Sequence, residues 1–185
     1  MKQKYNISPR HEQLLCFARL PQKMLALSFS DNLVEFVLHE LCSSRCFNIA
    51  KAAYFIDNGD FDCLKGIAGF DKANEFENNV QESWSSPEEF TCHMSNCRFN
   101  RQIRSLLLPS PTRTHQSMAE LVNVLSHTLD ITQPQYYTWM LKHDNRGILI
   151  YQLSEPNLES DDNTQELFDT ELLCGLHILA FCPVF

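Results

Sequence analysis

Four side chains able to bind a metal or move a proton fall within one short stretch of the chain: Glu35, His39, Cys42 and Cys46. In an α-helix, at about 100° per residue, they lie within about 60° of one another along a single edge. Imidazole and thiolate groups one or two turns apart converge on zinc or iron. His39, Cys42 and Cys46 therefore form a candidate metal set, with Cys63 as fourth ligand and Cys92, His93 and Cys97 as further donors. The spacing is not that of a zinc finger, because no C-x2-C occurs and Cys92 and Cys97 diverge if they share a helix. The competing reading is packing, with Cys42 in a core and His39 at its margin, since free cysteine behaves as a small hydrophobe.

Three other constellations carry chemistry. Cys63, between Asp62 and Lys65, is a candidate nucleophile that would need a base, and His143 with Asp144 could supply one. Arg98, Arg101, Arg104 and Arg113 could grip an anion through bidentate contacts. Tyr136, Tyr137, Trp139 and Tyr151 could line an aromatic pocket or be plain cross-strand packing. The carboxylates Asp57, Asp60 and Asp62 lack the register of a calcium loop and read as a solvated turn. No G-x-S-x-G, P-loop, G-x-G-x-x-G or H-E-x-x-H is present. The ligand-binding candidates are Tyr137, Trp139, His143 and Arg101, and no catalytic set is assigned.

These residues need elements to position them. Asn32, with Glu35 three residues on, reads as a capped helix start, and Val34, Val37, Leu38, Leu41 and Cys42 repeat at core spacing. Ala52 to Asp57 and Asp60 to Ala68 read as strands joined by a two-residue Asn58-Gly59 turn of type I′. Gly66 and Gly69 suggest a bulge or a close backbone approach. Ser86-Pro87-Glu88-Glu89 starts a helix that runs towards Leu108, and Ser117 to Glu120 caps another. Gln135 to Lys142 and Gly147 to Leu153 form a second hairpin, and Gln165 to Cys182 a closing helix apolar on most sides. A helix from His11 to Arg19, ended by Pro21, opens the chain. The order predicts an α+β fold: an antiparallel sheet of two hairpins with helices packed against it.

At 185 residues, 44% of them apolar, the chain suits a single domain over 1–185. Within it, 1–30 reads as an N-terminal arm or helix and 154–164 as a mobile acidic loop. A net charge of −8 argues against nucleic acid as the partner. Residues Leu172 to Phe185 carry no Asp, Glu, Lys or Arg, but spanning a bilayer takes about 20 apolar residues, so no membrane segment is expected. Without an export signal, the cytoplasm is the expected location, and the eight cysteines are expected as buried thiols, metal ligands or a reactive group rather than disulfides.

In element order, LVEFVLHELCS, AAYFIDNGDFDCLKGIAGF, YYTWMLKHDNRGILIYQ and FDTELLCGLHILAF resemble the opening helix, two hairpins and closing helix of a GAF or PAS-type sensory domain. Residues 71–133 depart from that pattern with a long, mostly helical insertion. The resemblance implies a pocket for a small molecule or cofactor on one face of the sheet, or a dimerisation module. The expected function is thus a regulatory domain that binds a small ligand or a protein partner without catalysis, with a homodimer as one form. A metal-binding protein or metalloenzyme built on His39, Cys42, Cys46 and Cys63 is the alternative.

Overall fold

The computed structural model describes residues 9–28, 30–74, 83–154 and 162–182, with side chains except at 9–13, 112, 113 and 162–169. It is organised on strand β1 (Ile49–Asn58), which pairs antiparallel with β2 (Cys63–Asp71) on one side and β5 (Arg146–Leu153) on the other. The short β3 (Leu107–Pro109) extends the sheet beyond β2, and β4 (Gln135–Met140) beyond β5. The strand order is β3-β2-β1-β5-β4 and every pairing is antiparallel. The expected α+β fold is the one found. The third strand was missed because the helix expected to reach Leu108 ends at Arg104, and Leu107–Pro109 instead pairs with 63–65.

Central β1 is apolar from Ala52 to Ile56 because both of its faces are covered. On one face Ala52, Tyr54, Ile56, Ala68, Phe70, Leu149 and Tyr151 pack with helix α2 (Leu33–Cys42) and helix α7 (Asp162–Leu179), to which α1 (Pro9–Ala26) adds Leu20. On the other, Ala53, Phe55, Leu64, Ile148 and Ile150 pack with α4 (Arg98–Arg104) and α6 (Met118–Leu129). Between α2 and α3 (Pro87–Asn96), Phe36, Phe90 and Met94 form a smaller cluster. A four-residue helical turn, α5 (Pro111–Thr114), links β3 to α6.

Both glycines of β2 serve the second face. A Cβ on Gly66 would run into the backbone carbonyl of Ile103, and one on Gly69 would lie 2.7 Å from the Ile103 Cγ1. Helix α4 therefore lies directly on the strand, and a bulge at Ile67 sets Ile67 and Ala68 on the same face. The two signals that these glycines suggested both occur.

Local chemistry departs from expectation at several ends. The hairpin β1–β2 has a four-residue loop, with Asn58 opposite Cys63; Gly59 does not take a positive φ, and Asp62 does (φ 50°). The Asn58 carboxamide oxygen accepts from the Phe61 amide at 3.1 Å, an Asx-type turn that competes with type I′. Asn32 forms no side-chain cap on α2; its amide donates to Thr91 Oγ1 at 2.9 Å instead. The predicted long helix is split at Cys97, whose ψ of 118° is extended, into α3 and α4. Pro21 lies inside α1 rather than ending it, and over 170–179, the part of α7 whose side chains are described, the buried residues are Leu172, Gly175, Leu176 and Leu179, with Cys174 and His177 exposed. Of the stretch 154–164 expected as an acidic loop, residues 155–161 lie outside the described residues, and 162–164 belong to the first turn of α7 instead. The capping box of α6 forms as expected: the Glu120 amide donates to Ser117 Oγ (3.3 Å) and the Ser117 amide to Glu120 Oε2 (3.0 Å).

Candidate functional site

The edge of α2 is built for Glu35, His39 and Cys42, whereas Cys46 lies past the helix end in the turn after Ser43, and these side chains go to different neighbours. His39 is buried and stacks edge-on against Phe70 and Phe90, with ring centroids 5.4 and 5.1 Å away. Burial lowers its pKa to about 4, against a raising influence of Glu40 and a further lowering one of His93, so it is a neutral imidazole at pH 7. Cys42 is in the core. The Cys46 thiol is hydrogen-bonded to Cys16; that bond, followed by burial, pushes its pKa far up, so it stays a thiol rather than the thiolate a metal requires. Cys63 lies seven residues along β2 from Phe70, the ring that His39 touches, which at about 3.3 Å per residue is roughly 20 Å. Cys63 therefore does not complete a shell with His39, and among the described residues no group of three or more His, Cys, Asp or Glu is placed to hold a metal ion. All eight cysteines are free thiols, of which Cys16, Cys42, Cys97 and Cys182 are buried.

Glu35 has a different role. Its buried carboxylate accepts from the Asn100 amide at 2.8 Å and from Arg104 Nη1 at 2.7 Å. Asn100, itself buried, also donates to the Met94 carbonyl (3.1 Å) and accepts from the Gly69 amide (2.9 Å). Beyond the reach of β3, the edge of β2 is thus satisfied by a side chain, and α2, α3 and α4 are tied to it at one point. A second cluster centres on Glu40, which accepts from Lys23 Nζ and Trp84 Nε1, each at 2.8 Å, and from Cys16 Sγ at 3.5 Å. It fastens α1 to α2. Both clusters join residues far apart in sequence, and no local spacing announces them.

The aromatic residues do assemble. Trp139 stacks on Tyr54 (5.4 Å, 11° between planes) and Tyr137 on Tyr151 (6.1 Å, 4°), on the α2/α7 face of the sheet. The Trp139 indole crosses over Gly147, its partner on β5, where a Cβ would collide with the ring. Tyr136 is exposed.

Beside this stack, at the end of the sheet where the β1–β2 and β4–β5 turns meet the last turn of α7, lies a cavity of about 510 Å³. Its apolar wall includes Ile56, Ile67, Leu141 and Leu179, with the largely exposed ring of Phe61 (78%) at the rim. Its polar lining is Asn58, Cys63, Lys65, Lys142, His143 and Asn145, with Tyr54 between wall and stack. The Tyr54 hydroxyl and Asn145 Oδ1 are buried without a hydrogen-bond partner. Burial, followed by the influence of Cys182, raises the Tyr54 pKa, which keeps that group a neutral hydroxyl.

Of the ligand-binding candidates, His143 lines this cavity, Trp139 backs its wall through Tyr54, and Tyr137 lies further along the same face. Arg101 does not join them: it is exposed on α4, the helix that covers the opposite face. Cys63 and His143 share the cavity, whereas Asp144 is not part of its lining. Tyr54, Lys142 and Asn145 carry no functional signal in the sequence, and Lys65 carries one only as a neighbour of Cys63. Tyr54 is one apolar letter in a buried strand, and the others gain meaning only when two turns about 80 residues apart are brought together.

No family model, curated protein or solved structure matches this chain. Among the described residues, no helix is long and apolar enough to cross a membrane.

Proposed function

We propose that the chain is a cytoplasmic, non-catalytic domain of the sensory type that binds a small ligand in the cavity beside Tyr54. The observation that carries this reading is the cavity itself, about 510 Å³ on one face of an antiparallel sheet, with apolar walls and a few convergent polar groups. That volume and lining are those of small-molecule sites. The buried Tyr54 hydroxyl adds to it, because an unsatisfied buried polar group costs about 1–3 kcal/mol and a ligand oxygen would satisfy it. The position is also where the resemblance to GAF and PAS-type domains would put a ligand, on one face of the sheet.

The test uses an uncharged apolar dye, Nile red, whose emission rises in a dry pocket. Saturable binding to the whole chain is expected, with loss of most of the signal in Ala180→Trp, a substitution at the exposed rim that fills the mouth. Dye binding that Ala180→Trp leaves unchanged would place the apolar site elsewhere and overturn the reading.

A further inference from the structure

The charge of the cavity is opposite to that of the chain. The protein carries 23 Asp and Glu against 15 Lys and Arg, yet the described residues that line the cavity include Lys65, Lys142 and His143 and no carboxylate. The acids of the same two turns, Asp60, Asp62 and Asp144, are outside the lining. Lys65 stands on β2 and Lys142 in the β4–β5 turn, so cationic groups flank the mouth from two separate elements. Asn58 spends its carboxamide oxygen on the Phe61 amide, which leaves its NH2 as the donor end of that side chain. Behind this polar rim the wall is Ile56, Ile67, Leu141 and Leu179. Charge at the mouth and hydrocarbon in the depth define an amphipathic site.

We infer that the ligand of this cavity is a small organic anion, a carboxylate on an apolar body, whose charge meets Lys65 and Lys142 at the mouth and whose body lies against Tyr54 and the aliphatic wall. This rests on the cavity being the binding site, as proposed above. Two ammonium groups at one mouth offer a carboxylate charge-assisted hydrogen bonds from two sides, which a neutral head group of the same size does not receive. A cationic or acidic-side-chain-seeking ligand would meet like charge at the mouth and is selected against. The Tyr54 hydroxyl and Asn145 Oδ1 offer a donor and an acceptor for a further polar group on the ligand body.

The experiment measures displacement of Nile red from the whole chain by octanoate, octanamide and octyl phosphate, in wild type and in Lys65→Gln/Lys142→Gln. Both lysine side chains are exposed, so the variant is expected to keep the far-UV spectrum and melting temperature of the wild type. Octanoate is expected to bind at least about 10-fold more tightly than octanamide, and the lysine variant to erase most of that preference while leaving octanamide unchanged. Octyl phosphate stronger than octanoate would replace the carboxylate by a phosphate ester as the head group. Equal displacement by octanoate and octanamide would overturn the anion inference and leave the cavity reading intact. If Nile red itself does not bind, or binds equally to Ala180→Trp, both fall. A preference for octanoate that survives the lysine substitutions would also overturn the assignment, since the charge would then be read elsewhere.

Discussion

On the face that carries Ala53, Phe55, Ile148 and Ile150, α4 and α6 close directly onto the sheet, and Gly66 and Gly69 remove the side chains that would hold them off. On the face that carries Ala52, Tyr54 and Leu149, the packed cluster is larger, but at the turn end it opens into the cavity lined by Tyr54, Ile56 and Lys65. The two faces alternate residue by residue from Ala52 to Ile56, so the same strand supplies a sealed layer and a receptive one. A site of this kind needs both: the sealed face supplies rigidity, and the open face can then expose a buried phenol and a wet rim without losing the fold. Asn100, at the sealed side of the β2 edge, has its amide group engaged as donor and as acceptor, whereas the Tyr54 hydroxyl and Asn145 Oδ1 on the open side have no partner.

The contrast can be broken most strongly at Gly66. Gly66→Val drives a side chain into the Ile103 carbonyl and is expected to cost about 3 kcal/mol or more in urea unfolding, against less than about 0.5 kcal/mol for Gly59→Ala, where nothing lies within 4 Å. Similar small losses at both positions would show that α4 does not rest on β2 as described. Next comes Asn100→Leu, which strands the Gly69 amide and takes one of the two described donors from the Glu35 carboxylate; a loss of about 2–3 kcal/mol is expected by the same measurement.

His39, on the other face, sharpens the comparison through pH. Burial lowers its folded-state pKa from 6.5 to about 4, so the unfolded chain takes up a proton first as pH falls. Stability is therefore full above about pH 6.5 and is lost progressively from there down to about pH 4. Between pH 7 and pH 5 this single group should account for about 2 kcal/mol of lost stability, absent in His39→Gln. Parallel stability curves for wild type and variant would place the imidazole in water. The smallest expected effect is at the start of α6, where Ser117→Ala removes the side-chain cap and should cost about 1 kcal/mol without altering Nile red binding. Loss of dye affinity in that variant would mean that the two faces are coupled.

Periodicity and turn residues were enough to read much of the fold. The stripe of Val34, Val37, Leu38, Leu41 and Cys42, both hairpins, the Ser117 box and the special standing of Gly66 and Gly69 are local facts, decided by side chains within a few residues of one another. Where two local solutions compete, the sequence was a poorer guide. Asn58-Gly59 permits a type I′ turn, yet the Asx bond to Phe61 and the left-handed Asp62 prevail, and Cys97 interrupts what helical spacing would continue.

The functional side chains divide on the same principle. That Glu35, His39 and Cys42 lie on one helix edge follows from 3.6-residue geometry, and that Tyr137, Trp139 and Tyr151 share a sheet face follows from the two-residue period of strands, whereas Cys46 lies past the end of α2. What those edges face is not. Phe70 and Phe90 reach His39 from β2 and α3, Asn100 claims Glu35 from 65 residues away, and the cavity exists only because β1 lies between β2 and β5 and so brings two distant turns to one end of the sheet. Local structure follows from short-range sterics and hydrogen bonding, whereas a site depends on long-range burial that chooses neighbours by the shape of the whole core.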